Sequence, residues 1–215
     1  MCGRYTLFTD KEYQDIRKII RAVQEKGHEV KTGEIYPTNP APILVWEGKE
    51  TVPQAVKWGW PKFQGSGVLI NARAETVFVK PSFREPIRRK RCLVPASGYF
   101  DWRHEADRKI PYYITVRDRP IFAFAGIYDC WHDETTDETA ATYSILTVPA
   151  AGPMRRIHNS RYRMPLILRN EDEERWLDPR LTDAEIAEFF TPPPGSKMQC
   201  EIIRSDFLRK DAGDP

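Results

Sequence analysis

Residues 112–128 read YYITVRDRPIFAFAGIY, two short β-like runs (YYITV and IFAFAGIY) rich in aromatic and branched side chains. Runs of the same kind recur as PILVW (42–46), AVKWGW (55–60), VLINA (68–72) and TYSILTV (142–148). Helical patterns are few. TDKEYQDIRKIIRAVQEKG (9–27) reads as an amphipathic helix, with Thr9 as cap, Ile16, Ile19, Ile20 and Val23 as the apolar stripe, and Gly27 as the stop. Two further helices are expected in NEDEERWL (170–177) and TDAEIAEFF (182–190), then a PPPG break and a last strand near MQCEIIR (198–204). GEIYPTNPAP (33–42) reads as a proline-rich loop, and KDAGDP (210–215) as a loose tail. Many strands with few, unevenly spaced helices predict an α+β fold rather than alternating βαβ units.

The chain has 215 residues, enough to bury a sizeable core without disulfide staples. Cys2, Cys92, Cys130 and Cys200 are widely spread with no CxxC pair, which excludes a zinc pattern and a secreted disulfide framework. No signal-peptide pattern precedes Cys2 and no apolar run reaches the length of a membrane span, so a reducing cytoplasm is the expected compartment. His28, His104 and His132 lack ligand spacing, so neither metal nor cofactor is expected.

The net charge of +2 is unevenly spread. SFREPIRRKRC (82–92), with Lys90 among its arginines, and MRRIHNSRYRMP (154–165) are both rich in arginine, while WHDETTDE (131–138) and NEDEE are acidic. A single basic run is most often a solvated face, but two beside other polar motifs point to an anionic ligand such as a phosphate backbone.

The start, MCGRYTLF, places a cysteine directly after the initiator methionine. If Met1 is removed, Cys2 carries an α-amine beside its thiol. Such an amine has an unperturbed pKa near 7.7, so a useful fraction is neutral at cellular pH. It can form a Schiff base with an aldehyde, which the adjacent thiol then closes into a thiazolidine.

MCGRYTLF, WGW, NARAETV, PSFREP, RCLVPASGYFDW, FAFAGIYD and IHNSRYRMPLIL stand in the order and approximate spacing of one family. The chain resembles the SRAP domain family, the SOS response-associated peptidase proteins. That resemblance implies one domain over 1–208, followed by a tail over 209–215, with curved, mostly antiparallel, barrel-like sheets and a few peripheral helices. It implies binding of single-stranded DNA and crosslinking of abasic sites by the N-terminal cysteine, after autopeptidase removal of Met1. A cytoplasmic monomer that joins the nucleoid during DNA damage is expected, with accompanying lyase chemistry.

Carried over by motif, the catalytic residues are Cys2, Asn71, Asp101 and His158. Arg4, Arg73, Arg84 and either Arg161 or Arg163 are expected to grip phosphates, and Trp58 and Trp60 to stack an unpaired base. Taken alone, Trp58, Trp60 and Trp102 read more readily as core, and Cys92, Cys130 and Cys200 as small buried hydrophobes.

Two departures from the family pattern stand out. Asp101 replaces the usual glutamate, which raises Glu105 or Glu75 as substitutes. Three extra residues separate His158 from the RMP triplet. Apart from the resemblance, a cysteine hydrolase using Cys2 with His158, or a non-catalytic strand binder, would also use these residue types.

Overall fold

The computed structural model describes residues 2–10, 14–62, 66–133 and 138–203. The chain opens with β1 (Tyr5–Leu7) and α1 (Gln14–Glu25), then β2 (Gly33–Ile35), β3 (Pro40–Glu47), β4 (Glu50–Trp58), β5 (Trp60–Pro61), β6 (Val68–Leu69) and β7 (Asn71–Arg73). A short helix, α2 (Pro86–Arg89), leads into β8 (Arg91–Ala96), β9 (Gly98–His104), β10 (Lys109–Val116), β11 (Phe122–Asp133) and β12 (Glu138–Pro149). The remainder is α3 (Met154–Ile157), β13 (Arg163–Pro165), α4 (Glu173–Leu177), α5 (Asp183–Glu188) and β14 (Met198–Ile202).

Strand β11 pairs with β8, β8 with β3, β3 with β4, β4 with β12, and β12 back with β11. Five strands thereby close on themselves, which removes exposed edges around the ring. The closing seam is the parallel pairing of Lys57 with Thr142 and Trp58 with Tyr143. Trp58 lies parallel to Tyr143 at a ring separation of 6.4 Å, filling the barrel at that seam. A second sheet, in the order β14-β10-β9-β1-β2, is antiparallel throughout. The expected α+β, mostly antiparallel, barrel-like architecture is the one observed, with β4–β12 and β7–β12 as parallel exceptions.

The chain passes from the barrel into the second sheet at Ser97, between β8 and β9. There the Ser97 N–H donates to the Thr6 carbonyl, and its hydroxyl meets that of Thr6 at 2.9 Å. Gly98 is required by packing: a Cβ added there would fall 2.2 Å from the Tyr113 hydroxyl oxygen, which itself bonds Thr6 Oγ1 at 2.8 Å. Gly98→Ala is expected to cost about 1–3 kcal/mol in urea unfolding, because Tyr113 must leave that bond to make room. An unchanged midpoint would show that the ring moves freely.

Helix α1 buries Ile16, Ile20 and Val23, with Ile19 partly covered, and Gly27 ends the turn that follows at φ +80°. The expected cap at Thr9 would involve residues 11–13, which lie outside the described residues, as does the tail 210–215. GEIYPTNPAP is not all loop, since Gly33–Ile35 forms β2 and Pro40 begins β3. The prolines fit because β8 meets β3 only at Leu44 and Val45, leaving Pro40 and Pro42 on an edge. Cys130 is exposed rather than buried. Beyond Ile127, β11 leaves β8 and pairs with β12 alone, so Cys130 sits on a two-stranded ribbon at the margin of the barrel.

Candidate active site

Register brings the start of the chain to its site. Tyr5 pairs with Tyr99, and the Phe100 N–H donates to the Arg4 carbonyl, so the antiparallel ladder runs Cys2 toward Asp101. Strand β7 is held parallel to β12 by Asn71–Ile145, and the Asn71 Nδ2 donates to the Cys2 carbonyl at 3.0 Å. Cys2 is fully buried, and its thiol donates to the Arg4 carbonyl at 3.6 Å. Burial first, and then the Asp101 charge, push the thiol up to about 12, so it stays protonated at neutral pH.

Asp101 is 2 % exposed. Burial raises its pKa to about 6, against the lowering effect of the Trp102 N–H that donates to Oδ1 at 2.9 Å. His158 caps α3, and its Nδ1 accepts the Arg163 N–H at 2.9 Å. That bond assigns the neutral imidazole's proton to Nε2, which stands 4.0 Å from Asp101 Oδ1. Burial, then nearby positive charge including Arg161, pushes His158 down to about 4, so the ring is neutral at pH 7. Among the described residues, Asn71 Oδ1 and Asp101 Oδ2 are buried acceptors at this site with no donor. Each costs stability unless a donor reaches it.

Asp101 and His158 line a cleft of about 460 Å³, together with Trp102, Lys109, Ser160 and Arg161. The arrangement sets a carboxyl poised near neutrality and a neutral imidazole in the wall of an open cleft, with Cys2 buried outside its lining. Such a set can hold an amine and move protons on and off small oxygen-bearing groups.

The family described as "SOS response associated peptidase (SRAP)" matches residues 1–207. The chain belongs to the SRAP family. A Bacillus subtilis relative named abasic site processing protein YoqW is 36 % identical over 207 residues, covering 90 % of this chain and 87 % of its own. The Gallus gallus protein named abasic site processing protein HMCES is 33 % identical over 128 residues, half of this chain and 37 % of its own. A crystal structure of a Bacteroides thetaiotaomicron protein superposes with a TM-score of 0.86 at 39 % identity, covering 100 % of this chain and 97 % of that one.

Of the residues carried over from the SRAP motifs, Asn71 bonds the Cys2 carbonyl and His158 stands beside Asp101, while Asp101 and His158 alone of the four line the cleft. The phosphate and stacking residues divide. Arg4 is buried, ion-paired with Glu34 and seated 4.5 Å from the Phe100 ring centroid, so it does not face a strand in this conformation. Arg163 is likewise buried, forked onto Glu75 and bonded to Thr147. Trp58 is fully buried and Trp60 sits edge-on to Phe83, so neither ring offers a face to a base. In all four the cause is the same: partners distant in sequence already occupy each group. Arg73 and Arg84 are exposed, and Arg161 is exposed within the cleft.

Neither substitute acid reaches the cleft lining: Glu75 pairs with Arg163, and Glu105 with Arg103 and Arg108. The aromatic residue that does line it is Trp102, half-buried, which composition alone assigns to packing. Its place directly after Asp101 in the motif was the available signal. Lys109 and Ser160 carried none.

Proposed function

We propose that this SRAP chain processes abasic sites in single-stranded DNA through a covalent bond to Cys2, after removal of Met1 frees the α-amine. The names of its relatives support the abasic site as the lesion acted on. The observation that carries the chemistry is the pair of buried acceptors, Asn71 Oδ1 and Asp101 Oδ2, which have no donor among the described residues. An α-amine at Cys2 supplies the donors they lack.

The neutral amine adds to the C1′ aldehyde of the ring-opened sugar, and the carbinolamine loses one water to give an imine. The sulfur of Cys2 then bonds to the imine carbon, and the thiol proton passes to the nitrogen. Closure is fast because both nucleophiles sit on one residue. Asp101, with a pKa of about 6, can give or take a proton at each stage. The Nε2–H of His158 can donate to the departing water or to the sugar oxygen. Asn71 holds the Cys2 carbonyl so that the amine stays aimed. Lys109, Arg161 and Trp102 offer the flanking strand two charges and a ring. Imine formation also opens a route to strand-cleaving lyase chemistry.

A cysteine hydrolase needs a thiolate, and a thiol pushed up to about 12 argues against it. The thiazolidine route uses the protonated thiol as its own proton source.

Incubation with an abasic oligonucleotide followed by intact mass measurement tests this reading. The expected product is the chain without its first methionine, plus the strand, less one water. One extra residue placed before Cys2 should abolish it. A chain that retains Met1 and still crosslinks overturns the mechanism.

A further inference from the structure

The segment between α3 and β13 is the stretch that lengthens the histidine motif. It is closed at its base by two backbone bonds: Tyr162 N–H to the His158 carbonyl at 2.9 Å, and Ala150 N–H to the Tyr162 carbonyl at 2.8 Å. Tyr162 takes φ +52°, a left-handed conformation unusual for a large side chain, so the chain is turned sharply to re-enter the sheet. At its tip, Asn159 does what a peptide group of a neighbouring strand would do. Its Oδ1 accepts the His104 N–H at 2.9 Å, and its Nδ2 donates to the His104 carbonyl at 2.8 Å. That edge of β9 is open because β1 pairs with it only at Gly98 and Tyr99.

The consequence falls on the two residues that follow. Ser160 and Arg161 both line the cleft, beside Lys109. Among the described residues, Arg161 forms no ion pair, in contrast to Arg4 and Arg163. Its charge is felt at His158, which it helps to hold in the neutral form. An unpaired guanidinium on a loop tethered at both base and tip is suited to an anion, because little freedom remains to be lost on binding.

We infer that Asn159 is a positioning residue: its amide clamps the loop to β9 and thereby presents Arg161 to a backbone phosphate of the strand entering the cleft. The inference rests on the reading of this cleft as a single-strand site. It assigns the phosphate contact to Arg161 rather than to Arg163.

The test uses the full chain and a single strand carrying a tetrahydrofuran abasic analogue, which has no aldehyde and cannot crosslink. Asn159→Ala is expected to weaken binding about 5–10-fold and to flatten the salt dependence by roughly one phosphate contact. Arg161→Ala should do the same, and the double variant should be no weaker than either alone. With an aldehyde-bearing strand at saturation, Asn159→Ala should crosslink at the normal rate, which separates positioning from chemistry. A thermal melt checks that the fold is kept.

Wild-type affinity in Asn159→Ala, or additive losses in the double variant, would overturn the inference. So would a fall in the saturating rate with unchanged affinity. Binding by the wild type without crosslinking removes the proposed reaction and leaves the affinity comparison to decide this inference. Wild type that neither binds nor crosslinks overturns both.

Discussion

With Cys2→Ala, the stable crosslink to an abasic strand should fall at least ~100-fold, because the ring-closing sulfur and its high effective concentration are lost together. The α-amine remains if the first methionine is still removed, so an imine still forms and reverts. Borohydride should trap that imine as a secondary amine, whereas untreated samples should show almost no adduct on a denaturing gel. The contrast isolates the thiol from the amine. Alanine fits the fully buried site with a small void, so folding is not the explanation for a loss. Undiminished stable adduct from Cys2→Ala would remove the thiol from the mechanism.

Asp101→Asn should show two opposite effects. Crosslink formation in a single-turnover time course should slow about 10–100-fold, since a positioned acid–base group is removed. Affinity for intact single-stranded DNA should hold. At the same time the variant should be more stable than the wild type above pH 6. The folded pKa of Asp101, about 6, lies above its ordinary value of 3.8. Its contribution to stability is therefore fully present below about pH 4 and lost as the pH rises through 6.

The expected gain at pH 7.5 is on the order of 3 kcal/mol, shrinking toward zero near pH 4. His158 carries the reverse sign: its folded pKa of about 4 means its contribution is lost as the pH falls from 6.5. The comparison must therefore be made between the two proteins at each pH. Asp101→Glu should retain activity if the longer side chain fits. A normal rate for Asp101→Asn would make the carboxyl structural only.

Local sequence carried β3, β4, β10, β11, β12 and β14, the two late helices and the order of the SRAP motifs, because side-chain periodicity and motif spacing are short-range properties. It also supplied the candidates for the proposed chemistry: a thiol at Cys2, a carboxyl at Asp101 and an imidazole at His158 are recognisable by residue type and motif. It missed β8 and β9, whose residues carry no such periodicity. What it could not supply was which cations are free. Arg4, Arg161 and Arg163 read alike in the sequence. Only the fold brings Glu34 to Arg4 and Glu75 to Arg163, while leaving Arg161 at the cleft.

Trp58 and Trp102 were likewise separated by tertiary structure alone. One lies at the seam where β4 meets β12, and the other at the mouth of the groove. Availability of a side chain depends on contacts between segments far apart along the chain, set by strand register and barrel closure. The register that pairs Tyr5 with Tyr99 is the same kind of fact, and it alone carries Cys2 to Asp101.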